Sequence, residues 1–129
     1  MRTVLSLAAL MALTTACSNV EQVRGSAPHH SAELAGDYRQ LAACATRALQ
    51  ANTQPSLVVD DSQRIATILG MWPGAQMATY EVTIAAAGPA RSAVAVRAPT
   101  SMFGGSGFAD EAMLRVQRCS QAAHAPSQR

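Results

Sequence analysis

The stretch Met77–Ala98, MATYEVTIAAAGPARSAVAVRA, carries the clearest strand signal in the chain. In its first half Ala78, Tyr80, Val82, Ile84 and Ala86 alternate with Thr79, Glu81 and Thr83, the two-residue period of a strand with one buried and one wet face. Gly88 and Pro89 break the run. Beyond them Val94 and Val96 alternate with Ala95 and Arg97, so the stretch reads as an antiparallel hairpin. Upstream, Ile65–Leu69 has the same character and is joined to it through Pro73 and Gly74. Strands at 65–69, 77–86 and 92–98 form a meander whose apolar face needs a cover.

Two Ala-rich segments flank the meander and are the candidates for that cover. Leu34, Tyr38, Leu41, Cys44 or Ala45, and Ala48 recur at helical spacing. This predicts a helix from about Ala32 to Gln50, capped by Ser31, weakened at Gly36 and ended by Asn52, Thr53 and Pro55. Ala112, Val116, Cys119 and Ala123 repeat the pattern in a helix that begins between Ser106 and Asp110 and ends near Ala123. The expected fold is α+β: a small two-layer sandwich of a three-stranded antiparallel meander flanked in sequence by two helices, α-β-β-β-α. Between the first helix and the meander lies only a short apolar piece, Leu57–Val59, closed by the turn formers Asp60, Asp61 and Ser62.

A chain of 129 residues accommodates one such domain. Its ten basic residues are all Arg, against eight acids, for a formal charge of +2. Beyond Arg2, the other arginines are scattered from Arg24 to Arg129 without a basic stripe, so no nucleic-acid partner is implied.

No constellation of catalytic groups emerges. His29, His30 and His124 lack the paired spacing of a metal site with the thiols. Asp60 and Asp61 are adjacent in a turn, where convergent acid and base roles would need groups separated in space. The loop Ser101–Phe108, SMFGGSGF, could present backbone amides to a phosphate, but Asp110 and Glu111 in the following helical turn repel an anion and the chain contains no Lys. The same loop fails as a serine-hydrolase elbow, because Phe108 stands where a glycine is required. The expectation is a protein that is not an enzyme and takes no cofactor. Recognition has a candidate instead: Met71 and Trp72 before one turn, and Met102 and Phe103 beside the glycine loop, would form a partner-binding patch if both loops lay at one end of the sheet.

The chain opens with MRTVLSLAALMALTTAC. One basic residue, Arg2, precedes an apolar run from Val4 to Leu13 that is too short to span a bilayer, and small residues follow. The segment resembles the signal peptide and lipobox of bacterial lipoproteins. That resemblance covers the leader alone. It makes 1–16 a cleaved signal peptide and Cys17 the lipidated N-terminus, with Ala16 the small residue before the cut. Thr14 departs from the Leu, Val or Ile the family prefers there, and Thr14-x-Ala16 also fits ordinary secretory cleavage into the periplasm. Ser18, in place of the Asp that retains many lipoproteins at the inner membrane, implies the outer membrane.

With Cys17 assigned to lipid, Cys44 and Cys119 remain. An oxidising compartment makes them a disulfide between the two helices. Residues 17–31, poor in large apolar side chains and carrying Gly25 and Pro28, read as a flexible tether. The domain then spans 32–123, and 124–129 is a tail. The functional expectation is a membrane-anchored, non-catalytic binding or assembly accessory with an envelope protein partner. The alternative is a periplasmic inhibitor or immunity protein against a toxin or cell-wall hydrolase.

Overall fold

The computed structural model describes residues 19–99 and 106–124. In chain order these form α1 (Val20–Arg24), β1 (His30–Ala35), α2 (Tyr38–Leu49), β2 (Gln54–Asp60), β3 (Ile65–Met71), β4 (Ala78–Gly88), β5 (Arg91–Arg97) and α3 (Ser106–His124). The strands make one antiparallel sheet in the order β1-β5-β4-β3-β2. The fold is α+β as expected, but the sheet has five strands and not three.

The meander forms the centre of that sheet. Ile68, Val82 and Val96 face one another across β3, β4 and β5, and Ala66, Ile84 and Val94 form the next row; all six are buried. On the same face α2 contributes Leu41, Ala42, Ala45 and Leu49, and α3 contributes Ala109, Ala112, Met113 and Val116. Each large aliphatic side chain removed from water there is worth about 1.5–3 kcal/mol before entropy is counted. Small Ala side chains on both helices let the helices lie close to the sheet and to each other. Cys44 and Cys119 are joined as expected, tying α2 to α3 at a Cα–Cα distance of 5.9 Å.

The two additional strands are the sheet's edges. β2 extends the Leu57–Val59 piece in both directions, and Pro55 near its start fits an edge, where a missing N–H can face away from the ladder. Its alternation is hidden in the sequence because Val58, 67% exposed, is as apolar as its neighbours. β1 replaces the first turns of the expected helix. Ala32 and Leu34 point toward the core, and their strand pairs with β5 through Ala32↔Val94 and Leu34↔Ser92. The break comes at Gly36, which has φ +128° and where a Cβ would meet the Leu41 side chain at 2.9 Å. Asp37, not Ser31, then caps α2 by accepting from the amides of Arg39 and Gln40 at 3.0 and 3.3 Å.

The expected tether is also corrected, because from Asn19 onward it is docked. The Asn19 amide clamps the backbone of Ala78, donating to its carbonyl and accepting from its N–H, both at 2.8 Å. Val23 of α1 is fully buried, Arg24 Nε lies 2.8 Å from Glu81 Oε2, and Arg97 Nε donates to the Ser26 carbonyl. Glu81 alternates with Tyr80 and Val82, so α1 sits on the sheet face opposite α2 and α3. Only Val20 and Val23 among the residues of this helix are aliphatic. A single turn with so few apolar side chains leaves no periodic signature.

Asp60 and Asp61 serve the turn between β2 and β3. Asp60 Oδ1 accepts from the Ser62 hydroxyl at 2.6 Å and from the amides of Ser62 and Gln63, which holds its carboxyl below the usual range. Asp61 Oδ1 accepts from Arg39 and from the Tyr38 hydroxyl at 2.9 Å; Arg39 first, then Tyr38, lowers its pKa. A carboxyl whose pKa is lowered on folding contributes stability that is present above its unfolded value and lost as pH falls through the folded one. The urea midpoint of the wild type will therefore fall as the pH drops through and below the ordinary carboxylate range, and the fall will be shallower in Asp61→Asn. Identical acid limbs in the two proteins would remove Asp61 from this account.

Candidate functional site

One end of the α-helical layer opens into a cleft of about 280 Å³. Leu49 at the end of α2, with Asn52 and Thr53 after it, forms one side. Tyr80 of β4 forms the floor, and Gly107, Phe108, Glu111 and Arg115 of α3 form the other side. The position follows from the sequence locally. Asn52 and Thr53 close the end of α2, their amides donating to the Leu49 carbonyl at 3.4 and 3.2 Å, and Gly70 on β3 leaves room for a large ring beside it.

Tyr80 is set across Gly70: a Cβ at that glycine would stand 2.1 Å from Tyr80 Cζ. Its hydroxyl lies 2.7 Å from Thr53 Oγ1, which donates to the Leu49 carbonyl at 2.9 Å. With the threonine proton so used, Tyr80 donates to Thr53. Burial pushes the Tyr80 phenol up, against the smaller opposing pulls of Thr53 and Arg115, and keeps it protonated. Arg115 is similarly committed. Its guanidinium binds Glu111 Oε1 through Nε at 2.7 Å and Nη2 at 2.6 Å, while Nη1 donates to the Ala48 carbonyl at 2.6 Å near the C-terminus of α2. The charges of Glu111 and Arg115 thus face each other. What the cleft offers a ligand is chiefly the half-buried Phe108 ring, backed by the buried Leu49 and Tyr80, with Asn52 exposed beside them. Such a surface holds an apolar group rather than an ion.

Of the residues singled out for partner binding, Met71 is half-buried at the end of β3 and Trp72 is 45% exposed. Trp72 packs edge-on against Phe108, ring centroids 5.6 Å apart and planes at 89°, so it borders the cleft through that contact. Trp72 also starts the tight turn of the β3–β4 hairpin. Ala75 donates to its carbonyl, Pro73 and Gly74 take the two central positions, and Gly74 has φ +76°. Met102, Phe103 and Cys17 lie outside the described residues.

Phe108 and Tyr80 are the aromatic residues of the cleft that sequence patterning assigns to other roles. Phe108 falls at the end of a glycine-rich loop, and Tyr80 reads as one more inward strand residue. Their shared use depends on α3 crossing the end of β4. His30, considered with His29 as a metal ligand, instead places Nε2 2.5 Å from Asp110 Oδ1 and links β1 to the first turns of α3. No helix among the described residues is long and apolar enough to cross a membrane.

Comparison with known proteins finds no matching family model, no matching curated protein and no matching solved structure.

Proposed function

We propose that the protein is an envelope lipoprotein anchored through Cys17, whose single domain is a non-catalytic binding or assembly accessory at the outer membrane, facing the periplasm. The observation that carries this reading is the Cys44–Cys119 disulfide. It engages two of the three cysteines of the chain and leaves Cys17, at the end of a leader that resembles a lipoprotein signal, for acylation. A structural disulfide also accords with an oxidising compartment outside the cytoplasm. The cleft supports a binding role: its one pair of opposite charges is closed on itself, and its walls suit an apolar side chain of a partner protein.

Metabolic labelling with a palmitate analogue will mark the protein and will fail to mark Cys17→Ala. An unlabelled wild type would overturn the lipid anchor and leave ordinary secretion. Crosslinking of the lipidated protein in its own envelope then tests the accessory role. Recovery of an envelope assembly component supports it, whereas recovery of a toxin or cell-wall hydrolase assigns the protein to inhibition or immunity instead.

A further inference from the structure

We infer that the tip of the β3–β4 hairpin, with Trp72 and Met77 at its surface, rests in the headgroup interface of the bilayer that holds the lipid anchor. This inference rests on the lipoprotein reading and specifies how the anchored domain is held. Cys17 stands two positions before Asn19, and two residues of chain span at most about 7 Å. Asn19 is clamped by two hydrogen bonds to the backbone of Ala78, the residue after Met77. The direction of α1 reinforces the placement. Arg24, at its far end, pairs with Glu81, three residues farther along β4, so the chain runs back from Arg24 to Asn19 toward the hairpin tip. An acylated Cys17 therefore emerges beside the tip with no slack to lift the domain away.

The chemistry of the tip suits that position. Trp72 and Met77 are each 45% exposed and are bonded to each other, the Trp72 amide donating to the Met77 carbonyl at 2.9 Å. The whole stretch Met71–Tyr80, MWPGAQMATY, contains no charged residue, so its approach to lipid desolvates no ion. Tryptophan and apolar residues are the side chains favoured at the headgroup boundary, where a Trp ring buries its body and keeps its N–H wet. Among the described residues, the other large exposed apolar ones, Val58 and Val59 on the edge strand β2 and Leu114 on α3, do not adjoin the clamp. The hairpin also arrives shaped: its turn is closed by the Ala75 to Trp72 hydrogen bond, and Trp72 is backed by Phe108. A second contact adds to a lipid anchor without new ordering cost in the protein.

Trp72 is the one tryptophan of the chain, so its intrinsic fluorescence reports the tip directly. The lipidated protein, purified from membranes, is placed in vesicles of phosphatidylethanolamine and phosphatidylglycerol, with or without bromine on the acyl chains. Docking predicts that emission falls by about twofold in the brominated vesicles, more when bromine lies near the headgroups than near the chain ends. It also predicts reduced quenching by acrylamide from the aqueous side. Intact mass of the same sample reports the acyl chains independently. Acyl chains present with emission equal in both kinds of vesicle would overturn the docking and leave the lipoprotein reading standing. A mass without acyl chains would overturn both. A photocrosslinker in place of Met77 adds a second readout: a lipid adduct supports the inference, and a protein adduct overturns it in favour of a protein-binding tip.

Discussion

Replacing Cys44 and Cys119 together by alanine will lower the free energy of unfolding by about 4.5 kcal/mol in the chain-entropy account. The magnitude follows from the separation of 75 residues between the two cysteines, which encloses the whole sheet apart from β1. Without the link, the unfolded chain regains the freedom to separate those positions, while the folded chain changes little. Both cysteines lie on α2 and α3, which are already held against the same sheet face by Leu41, Ala45, Ala112 and Val116. For a domain whose total stability falls in the usual range of about 5–15 kcal/mol, the loss is between about 30% and 90% of the whole. Urea denaturation of the oxidised wild type and the double variant measures it, with non-reducing mass spectrometry confirming the link in the wild type. Equal midpoints, or free thiols at both positions in the exported protein, would contradict the prediction.

Gly70→Ala is expected to be the most damaging small substitution, at about 3 kcal/mol, the upper part of the usual overpacking range. The added Cβ would lie 2.1 Å from Tyr80 Cζ and 2.3 and 2.6 Å from the adjoining ring carbons. Neither side yields easily. Gly70 is held in the β3–β4 ladder opposite Tyr80, and its carbonyl accepts from the Thr79 hydroxyl at 3.1 Å. The Tyr80 ring is almost wholly buried, and its hydroxyl is committed to Thr53. The ring's free direction is into the cleft, so a surviving Gly70→Ala protein will have a narrowed cleft and a broken Tyr80–Thr53 hydrogen bond. A double-mutant cycle separates this clash from a general cost of alanine in the strand: in a Tyr80→Leu background, Gly70→Ala will cost much less. Additive effects would mean that the ring is not what the glycine accommodates.

Both predictions turn on contacts whose legibility in the sequence differs. The cysteine pair is visible because both thiols sit on helical apolar stripes and the resemblance of the leader removes the third cysteine. The Gly70–Tyr80 contact is not visible, since Gly70 ends a run that reads as Ile65–Leu69 and nothing local marks the residue opposite. The central meander was legible because its alternation is strict over Ala78–Ala86 and turn formers bound each strand. β1 is ambiguous in the sequence because Leu34, Tyr38 and Leu41 satisfy a helical period as well as Ala32 and Leu34 satisfy a strand period. Gly36 and Asp37 show where the conflict is settled, one by a backbone conformation and a close approach that favour glycine, the other by capping.

The candidate site was legible in part. Trp72 stands out as a lone large residue beside a Pro-Gly turn, and the structure places it at the surface against Phe108. Tyr80, Thr53 and Arg115 were not legible as a group, because they come from β4, the end of α2 and the middle of α3. The docked course of residues 19–31 was not legible either: it depends on an asparagine meeting Ala78 and an arginine meeting Glu81 across more than fifty positions.

Local order along the chain thus specified the α+β class, the three central strands, the final helix and the cysteines available for one bridge. These follow from short-range periodicity and from residue chemistry that does not depend on neighbours in space. The edge strands, the glycine beneath Tyr80, the closed Arg115–Glu111 pair and the clamp that draws the N-terminal segment onto the sheet arise from packing between distant segments. Edge pairing is directed by backbone hydrogen bonds, which every residue but proline can donate, so side chains announce it weakly. A buried ring or a docked asparagine has a place only once two surfaces have met.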